Sequence, residues 1–322
     1  LAAALRALDG LSMDRYLRDH GWGSERLRWF VEYGCRDDFG ATLAQTSAWA
    51  GIHYFAARLG DGSGGADFLT WPEGNGRLVS RMATRAAGRM QAQATVRSVT
   101  PHARGVDVVY HDDREGRLRG IHAEHAVLAL PRFLAGYLVE GLPGPAAGAV
   151  YGSWMVANLT LRERPESRGF PLAWDNVLYA SPSLGYVVAT HQQGRDHGPT
   201  VFTYYLPLLD DDVRAARQRL LATPWEQWVS AILADLGPAH GGLADLVDTI
   251  DVYLWGHAMV RPQPGSMWSA ALAASARPQG RLHFAHTDLS GMALFEEAQH
   301  HGVRAAEEIL SARGQRFESW LA

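Results

Sequence analysis

No lysine occurs in this sequence; all 30 basic residues are arginine. That excludes Schiff-base chemistry on a lysine amine and any lysine general base. With the abundance of alanine and glycine, it points to a GC-rich bacterial genome. Cysteine is nearly absent too. Cys35 stands alone, so no internal disulfide forms, and one thiol is no basis for a zinc site. No run approaches the roughly 18 apolar residues of a membrane span, and no basic segment precedes an apolar core as in a signal peptide. Positive charge is not in excess: the net charge is -4 and the pI about 6.4, which gives no electrostatic case for nucleic acid. What is present is a globular balance, 47% hydrophobic and 20% charged. A length of 322 residues suits two domains or one large composite. The chain begins at Leu1, not methionine, as a processed protein or a fragment does.

Along the chain the periodicity changes several times. The first 60 residues have helical spacing, with Leu17, Leu27, Phe30 and Val31 on apolar positions and Ser24 with Glu25 as a helix start. Gly60 to Gly65 is a flexible loop. The turn Trp71-Pro72-Glu73-Gly74-Asn75-Gly76 leads into a helix striped by Leu78, Val79, Met82, Ala83, Ala86, Ala87 and Met90. Alternation then predicts four short strands, Thr95 to Val99, Val106 to Tyr110, Leu118 to Ile121 and Ala126 to Leu130, forming a small meander that Pro131 stops. Longer strands are expected at Tyr151 to Leu161, Tyr186 to Thr190, Val201 to Leu206 and Ile250 to Trp255. Among these lies a helix with Thr223 as N-cap and Pro224 at its first position. Near the end, a strand at Arg281 to His286 and a polar turn at Thr287 to Gly291 precede a helix from Leu294 to Ala312. Its inward face is expected to carry Ala298, Gly302, Ala305 and Ile309.

Each local motif also admits an ordinary structural reading. The terminal strand, turn and helix offer a helix N-terminus suited to phosphate or an electron-rich ring, or are simply a β–α unit. Gly74-x-Gly76 follows a Trp-Pro turn rather than a strand and lacks a third glycine, so a helix-entry turn is the better account. Asp61-Gly62-Ser63 lacks the glycine that a nucleophile elbow requires two residues before its serine. The 14 histidines cluster at His122 with His125, His283 with His286, and His300-His301, each without a third ligand, so no metal site is expected. His257 follows a strand and precedes the Pro-rich loop Arg261 to Gly265; it is a candidate catalytic residue, or a hydrogen-bonded structural one.

The order of these signals is more specific than any one of them. The Pro-Glu-Gly turn is followed by Val127-Leu128-Ala129-Leu130-Pro131, then a long mixed segment. After that come Gly280-Arg281-Leu282-His283-Phe284-Ala285 and Glu296-Glu297-Ala298-x-x-x-Gly302-x-x-Ala305-Ala306-Glu307. This resembles the flavin amine oxidase family over nearly the whole chain. The resemblance implies FAD as cofactor. It implies that Val96 meets the adenine end through its backbone, and that Ala285, His286, Thr287 and Asp288 follow the ribityl-pyrophosphate region. Leu294, Phe295 and Ala298 then lie beside the flavin pyrimidine edge, with Trp255 near the isoalloxazine. Three departures stand out. The family's glycine before Thr287 is His286, the aromatic wall of its amine pocket falls on Leu294, and its lysine near flavin N5 has no counterpart here. The N-terminal Gly-x-Gly-x-x-Gly segment also has no match before Trp71, so it was removed, is encoded separately, or the fold has diverged.

The resemblance implies an α/β fold of mixed α+β character: a partial FAD/NAD(P)-binding Rossmann-like domain with a β-meander, plus a mixed-sheet substrate domain. Residues 66–135 and 278–312 are expected in the FAD-binding domain, and 1–60 and 136–277 in the substrate domain. The expected activity is oxidation of a small organic substrate, amine-like or related, by hydride transfer to flavin. A truncated non-catalytic interaction module and an FAD-dependent desaturase or isomerase are the alternatives. Trp255 and His257 are the catalytic candidates, and Trp174, Tyr204, Trp255, His257 and Leu294 are expected to line the substrate cavity. The expected partners are a small-molecule substrate and a second copy in a homodimer, with no nucleic acid and no membrane span, and the expected location is the cytoplasm.

Overall fold

A computed structural model describes residues 3–59, 70–142, 149–166 and 171–321. The expected loop at Gly60 to Gly65 lies outside the described residues. Helices α1 (Ala3–Asp9), α2 (Met13–Asp19), α3 (Glu25–Phe39), α4 (Ala48–Ala56) and α5 (Gly76–Arg85) come first. Strands β1 (Ala94–His102), β2 (Gly105–Asp112), β3 (Arg117–Ala123) and β4 (Ala126–Leu128) lead to α6 (Arg132–Leu138). Then follow β5 (Tyr151–Leu161), β6 (Asp175–Asn176), β7 (Tyr186–Val188) and β8 (Thr200–Leu208). Helices α7 (Val213–Ala222), α8 (Trp225–Leu236) and α9 (Leu243–Leu246) precede β9 (Val247–Val260), α10 (Ala270–Ser275), β10 (Leu282–Phe284) and α11 (Phe295–Ala312).

The chain divides into two compact units. The first takes residues 1–11, 78–149 and 262–322, the second 12–77 and 150–261.

In the first unit β1, β2 and β3 form an antiparallel sheet, and β4 leaves it to pair in parallel with β10. The four-stranded meander expected from sequence is therefore three strands plus a parallel pair. Alternation identifies a strand but not its partner, and Leu128 and Phe284 find each other across about 150 intervening residues in one buried cluster with Val99, Val106 and Leu282. The strand ends at Leu128, short of the expected Leu130, and Pro131 serves instead as N-cap of α6. The apolar stripe on α5 buries none of its residues, and Val79 and Met82 are about half exposed. A stripe says which face is apolar, not what covers it. On α11 the inward face centres on His301 and Ala305, with Gly302 exposed, a rotation of one residue from the expected face.

The second unit is built on the five-stranded sheet β6-β7-β8-β5-β9, in which every pairing is antiparallel. The period of two sorts its side chains cleanly. Met155, Ala157 and Leu159, with Phe202, Tyr204, Tyr186 and Ile250, face a core closed by Leu220 of α7 and Trp228, Ile232 and Leu236 of α8. Trp154, Val156 and Asn158 point the other way and pair across with Pro207, Tyr205 and Thr203. The α8 start is one residue later than expected. Pro224 is the N-cap, and Thr223 closes the end of α7 by donating to the Arg219 carbonyl at 2.7 Å.

Candidate functional site

The sheet face turned away from the α7–α8 core carries a cavity of about 430 Å³ within the second unit. Trp154 and Val156 of β5, Val187 of β7, Tyr205 of β8, Trp255 of β9 and Asp175 of β6 line it from the sheet, with Leu184, Ala258 and Met259 beside them. Tyr33 and Asp37 of α3 complete it.

Helix spacing explains the α3 contribution. Ser24 caps the helix by accepting from the Leu27 amide. Val31, Cys35 and Phe39 recur every four residues on its buried face, while Tyr33 and Asp37, also four apart, share another face. Gly34 lets α4 come close: a Cβ there would stand 2.7 Å from the Tyr54 ring. The Tyr54 phenol thereby reaches Asp37 and donates to it at 3.1 Å, and Tyr33 donates to Asp175 at 3.4 Å. Asp175 is held by pairing with Val187 of β7, and just before β7 Gly185, at φ +78°, leaves no room for a Cβ against the Asn176 carbonyl.

Two carboxylates thus enter an aromatic-walled space. Burial, reinforced by the neighbouring Asp38, pushes Asp37 up to about 6, even though Tyr54 pulls the other way. Burial raises Asp175 as well. Tyr33 and Tyr205 are raised, again chiefly by burial, and stay protonated donors. Partly dehydrated carboxylates beside tryptophan and tyrosine faces suit a cation, which restores the ionised form and gains from the ring quadrupoles.

The structure brings only Trp255 of the substrate candidates to this cavity, directly opposite Trp154 in the antiparallel pair. Tyr204 is buried in the core and donates to Asp235 at 2.8 Å; its neighbour Tyr205 takes the cavity side, because adjacent strand residues face opposite ways. Trp174 is 40% exposed and lies outside the lining, while the next residue, Asp175, enters it. His257 is half-buried, stacks edge-on against Tyr151, and is held below the ordinary histidine range by burial and by Arg217. The sequence reading missed Asp37, Asp175, Tyr33, Trp154 and Tyr205. The four-residue spacing was the signal for Tyr33 and Asp37, and strand alternation was the signal for Trp154 and Tyr205, without saying which face meets the core.

The cofactor candidates other than Trp255 all lie in the first unit. Val96 sits on β1 immediately before a bulge, and the Ala285 amide donates to the Leu128 carbonyl where the parallel pair ends. His286 is extended, at φ -165°, so no glycine is needed there for conformation; its ring accepts from the Asp288 amide at 3.2 Å. Thr287 opens a short 3-10 turn, and buried Asp288 accepts from the Arg132 amide at 2.9 Å. Leu294 is the N-cap of α11, Phe295 its first residue and Ala298 lies a turn in. Leu294 has no polar side-chain atom, so the helix start has no side-chain cap. An uncapped eighteen-residue helix leaves first-turn N–H donors and the positive end of its dipole for another acceptor, which fits the electron-rich pyrimidine edge of a flavin. Among the described residues no group of His, Cys, Asp and Glu forms a metal site, and no helix is long and apolar enough to cross a membrane.

The second unit thus offers a cavity suited to a cation, and the first offers a helix start suited to an electron-rich ring. A model of the flavin containing amine oxidoreductase family matches residues 15–310, and the chain belongs to that family, whose cofactor is FAD. Among solved structures, wild-type putrescine oxidase bound to putrescine aligns with a TM-score of 0.69 at 17% identity, covering 96% of this chain and 70% of that one. Cyclohexylamine oxidase from Brevibacterium oxydans IH-35A aligns at 0.64 and 19%, over 96% of this chain and 69% of that one. At such identities these likenesses concern the fold. No curated protein matches in sequence.

Proposed function

We propose that the protein oxidises a small amine with FAD as acceptor, and that the Asp37–Asp175 cavity recognises a cationic group of that substrate. The observation carrying this is the pair of carboxylates, each with its own tyrosine donor, inside an aromatic-walled cavity of about 430 Å³. FAD, when bound, supplies the hydride acceptor. The residues proposed to hold it are Val96, Ala285, Thr287 and Asp288 along the strand ends and Leu294, Phe295 and Ala298 at the start of α11.

The cavity side chains have a division of labour. Trp154, Trp255 and Met259 give the cavity apolar walls, so charge interactions beside them are stronger than in open water. Tyr54 and Tyr33 orient the carboxylates. Asp37 and Asp175 stabilise a protonated nitrogen, whereas hydride loss from an amine requires that nitrogen to be neutral. The nitrogen they hold is therefore a recognition group, and the oxidised carbon belongs to another part of the substrate. Short diamines and amines with a remote cationic head are the class this selects.

The test is a substrate screen on the FAD-loaded protein, comparing diamines with monoamines of equal length, alone and in Asp37→Asn and Asp175→Asn. A charged hydrogen bond is worth about 1.5–3 kcal/mol, so each variant should lose on the order of 10- to 150-fold in kcat/KM for the diamine and much less for the monoamine. Equal losses on both substrates would remove the recognition role, and a flavin that no amine reduces would favour the non-catalytic alternative.

A further inference from the structure

The third residue of α11 is Glu297, the position from which an acidic side chain commonly reaches back to cap its own helix. Here it does something else. Its carboxylate accepts from the Ser290 hydroxyl, in the loop before the helix. Behind Ser290 stands His301, 5% exposed, with Nε2 2.8 Å from the Ser290 oxygen. The direction of these bonds is fixed by Arg304. Its Nε donates to His301 Nδ1 at 3.1 Å, and a guanidinium cannot accept, so the imidazole proton lies on Nε2 and is donated to Ser290. Ser290 then has its own proton free for Glu297. Burial, aided by the Arg304 charge, holds His301 down to about 4, so it stays neutral through this chain. Arg304 is itself anchored, by the Phe284 carbonyl at 2.7 Å, the Ala276 carbonyl at 3.1 Å and an ion pair to Glu308, which also accepts from His283 at 2.9 Å.

We propose that Ser290, oriented by His301 and Arg304, is a positioning residue that draws the Glu297 carboxylate away from the cap of α11 and so keeps the helix start available to the flavin and sets its reduction potential. This rests on the reading that the flavin pyrimidine edge meets that helix start. Released, Glu297 would fold back onto the first-turn N–H groups, compete for them, and place a full negative charge where reduction adds negative charge to the ring.

The experiment measures the reduction potential of bound FAD, by equilibration with a reference dye, and the Kd for FAD in four variants: Ser290→Ala, Ser290→Thr, Glu297→Gln, and Ser290→Ala combined with Glu297→Gln. Ser290→Ala should shift the oxidised–reduced equilibrium about tenfold toward the oxidised form, some 30 mV for a two-electron couple, and weaken FAD binding. Ser290→Thr, which keeps the hydroxyl, should retain the parent values. The double variant should match Glu297→Gln, because without the charge there is nothing to restrain. A Ser290→Ala protein with FAD bound at the parent potential overturns the proposal, as does a double variant that still shows the full Ser290→Ala shift. A parent protein that takes up no FAD overturns the flavin reading itself, and this inference with it.

Discussion

The indole of Trp154 packs against Gly40, so close that a Cβ at position 40 would fall 2.5 Å from Nε1. Gly40 is the C-cap of α3 at φ +57°, a left-handed conformation that costs other residues about 1–2 kcal/mol. One glycine thus ends the helix that carries Tyr33 and Asp37 and makes room for the tryptophan on the cavity wall. Gly40→Ala should cost roughly 2–4 kcal/mol, conformational strain plus overpacking, and lower amine affinity; urea unfolding with a substrate titration checks both. An alanine variant as stable as the parent would contradict the packing account.

Asp37 gives a pH dependence with a defined sign. Its folded pKa is raised from 3.8 to about 6, so between those values the folded state holds more protons than the unfolded one. Stability should fall as pH rises from 4 to 6 and then level off, and Asp37→Asn should flatten that slope in thermal melts. Substrate binding should move oppositely. The carboxylate ionises as pH rises through 6, so KM for a cationic amine should drop there in the parent and not in Asp37→Asn.

Tyr204 and Tyr205 are adjacent in sequence and opposite in role. Tyr204→Phe removes a hydroxyl donor from Asp235, which also accepts from Ser181 and Ser183. It should cost about 1–2 kcal/mol of stability and leave KM within roughly twofold. Tyr205→Leu should raise KM several-fold with little loss of stability. Chemical denaturation and steady-state kinetics on the two variants separate these outcomes, and the reverse pattern would place the cavity on the wrong sheet face.

Trp255 is 55% exposed yet lines the cavity, so its contribution is a ring face rather than core packing. Replacing it with alanine should weaken binding of a cationic substrate by about 1–2 kcal/mol while leaving the unfolding midpoint nearly unchanged. An uncharged analogue of the same size should lose much less.

Local chemistry was legible wherever a single segment carried it. Period-two alternation located β1, β2, β3, β5 and β8 to within a few residues, Ser24 announced α3, and the Leu294 to Ala312 helix and the turn before it stood where the pattern put them. Strand partners were not legible. β4 alternates like a meander strand, and only the fold pairs it with β10, because hydrogen-bonding edges carry no record of sequence distance.

The candidate cavity shows the same boundary more sharply. Its aromatic content was readable and its faces were not: at Tyr204–Tyr205 and Trp174–Asp175 the sequence reading picked the neighbour of the lining residue, because a period of two leaves open which face meets the core. The amino-acid sequence by itself determined the longer strands, the starts of the α3 and α11 helices, the lack of lysine chemistry and the order of motifs that marks the family. Tertiary structure alone decided that Asp37 and Asp175, 138 residues apart in the numbering, share one cavity and that Ser290 restrains Glu297. Both depend on burial and on distances between segments, which packing creates and no local pattern encodes.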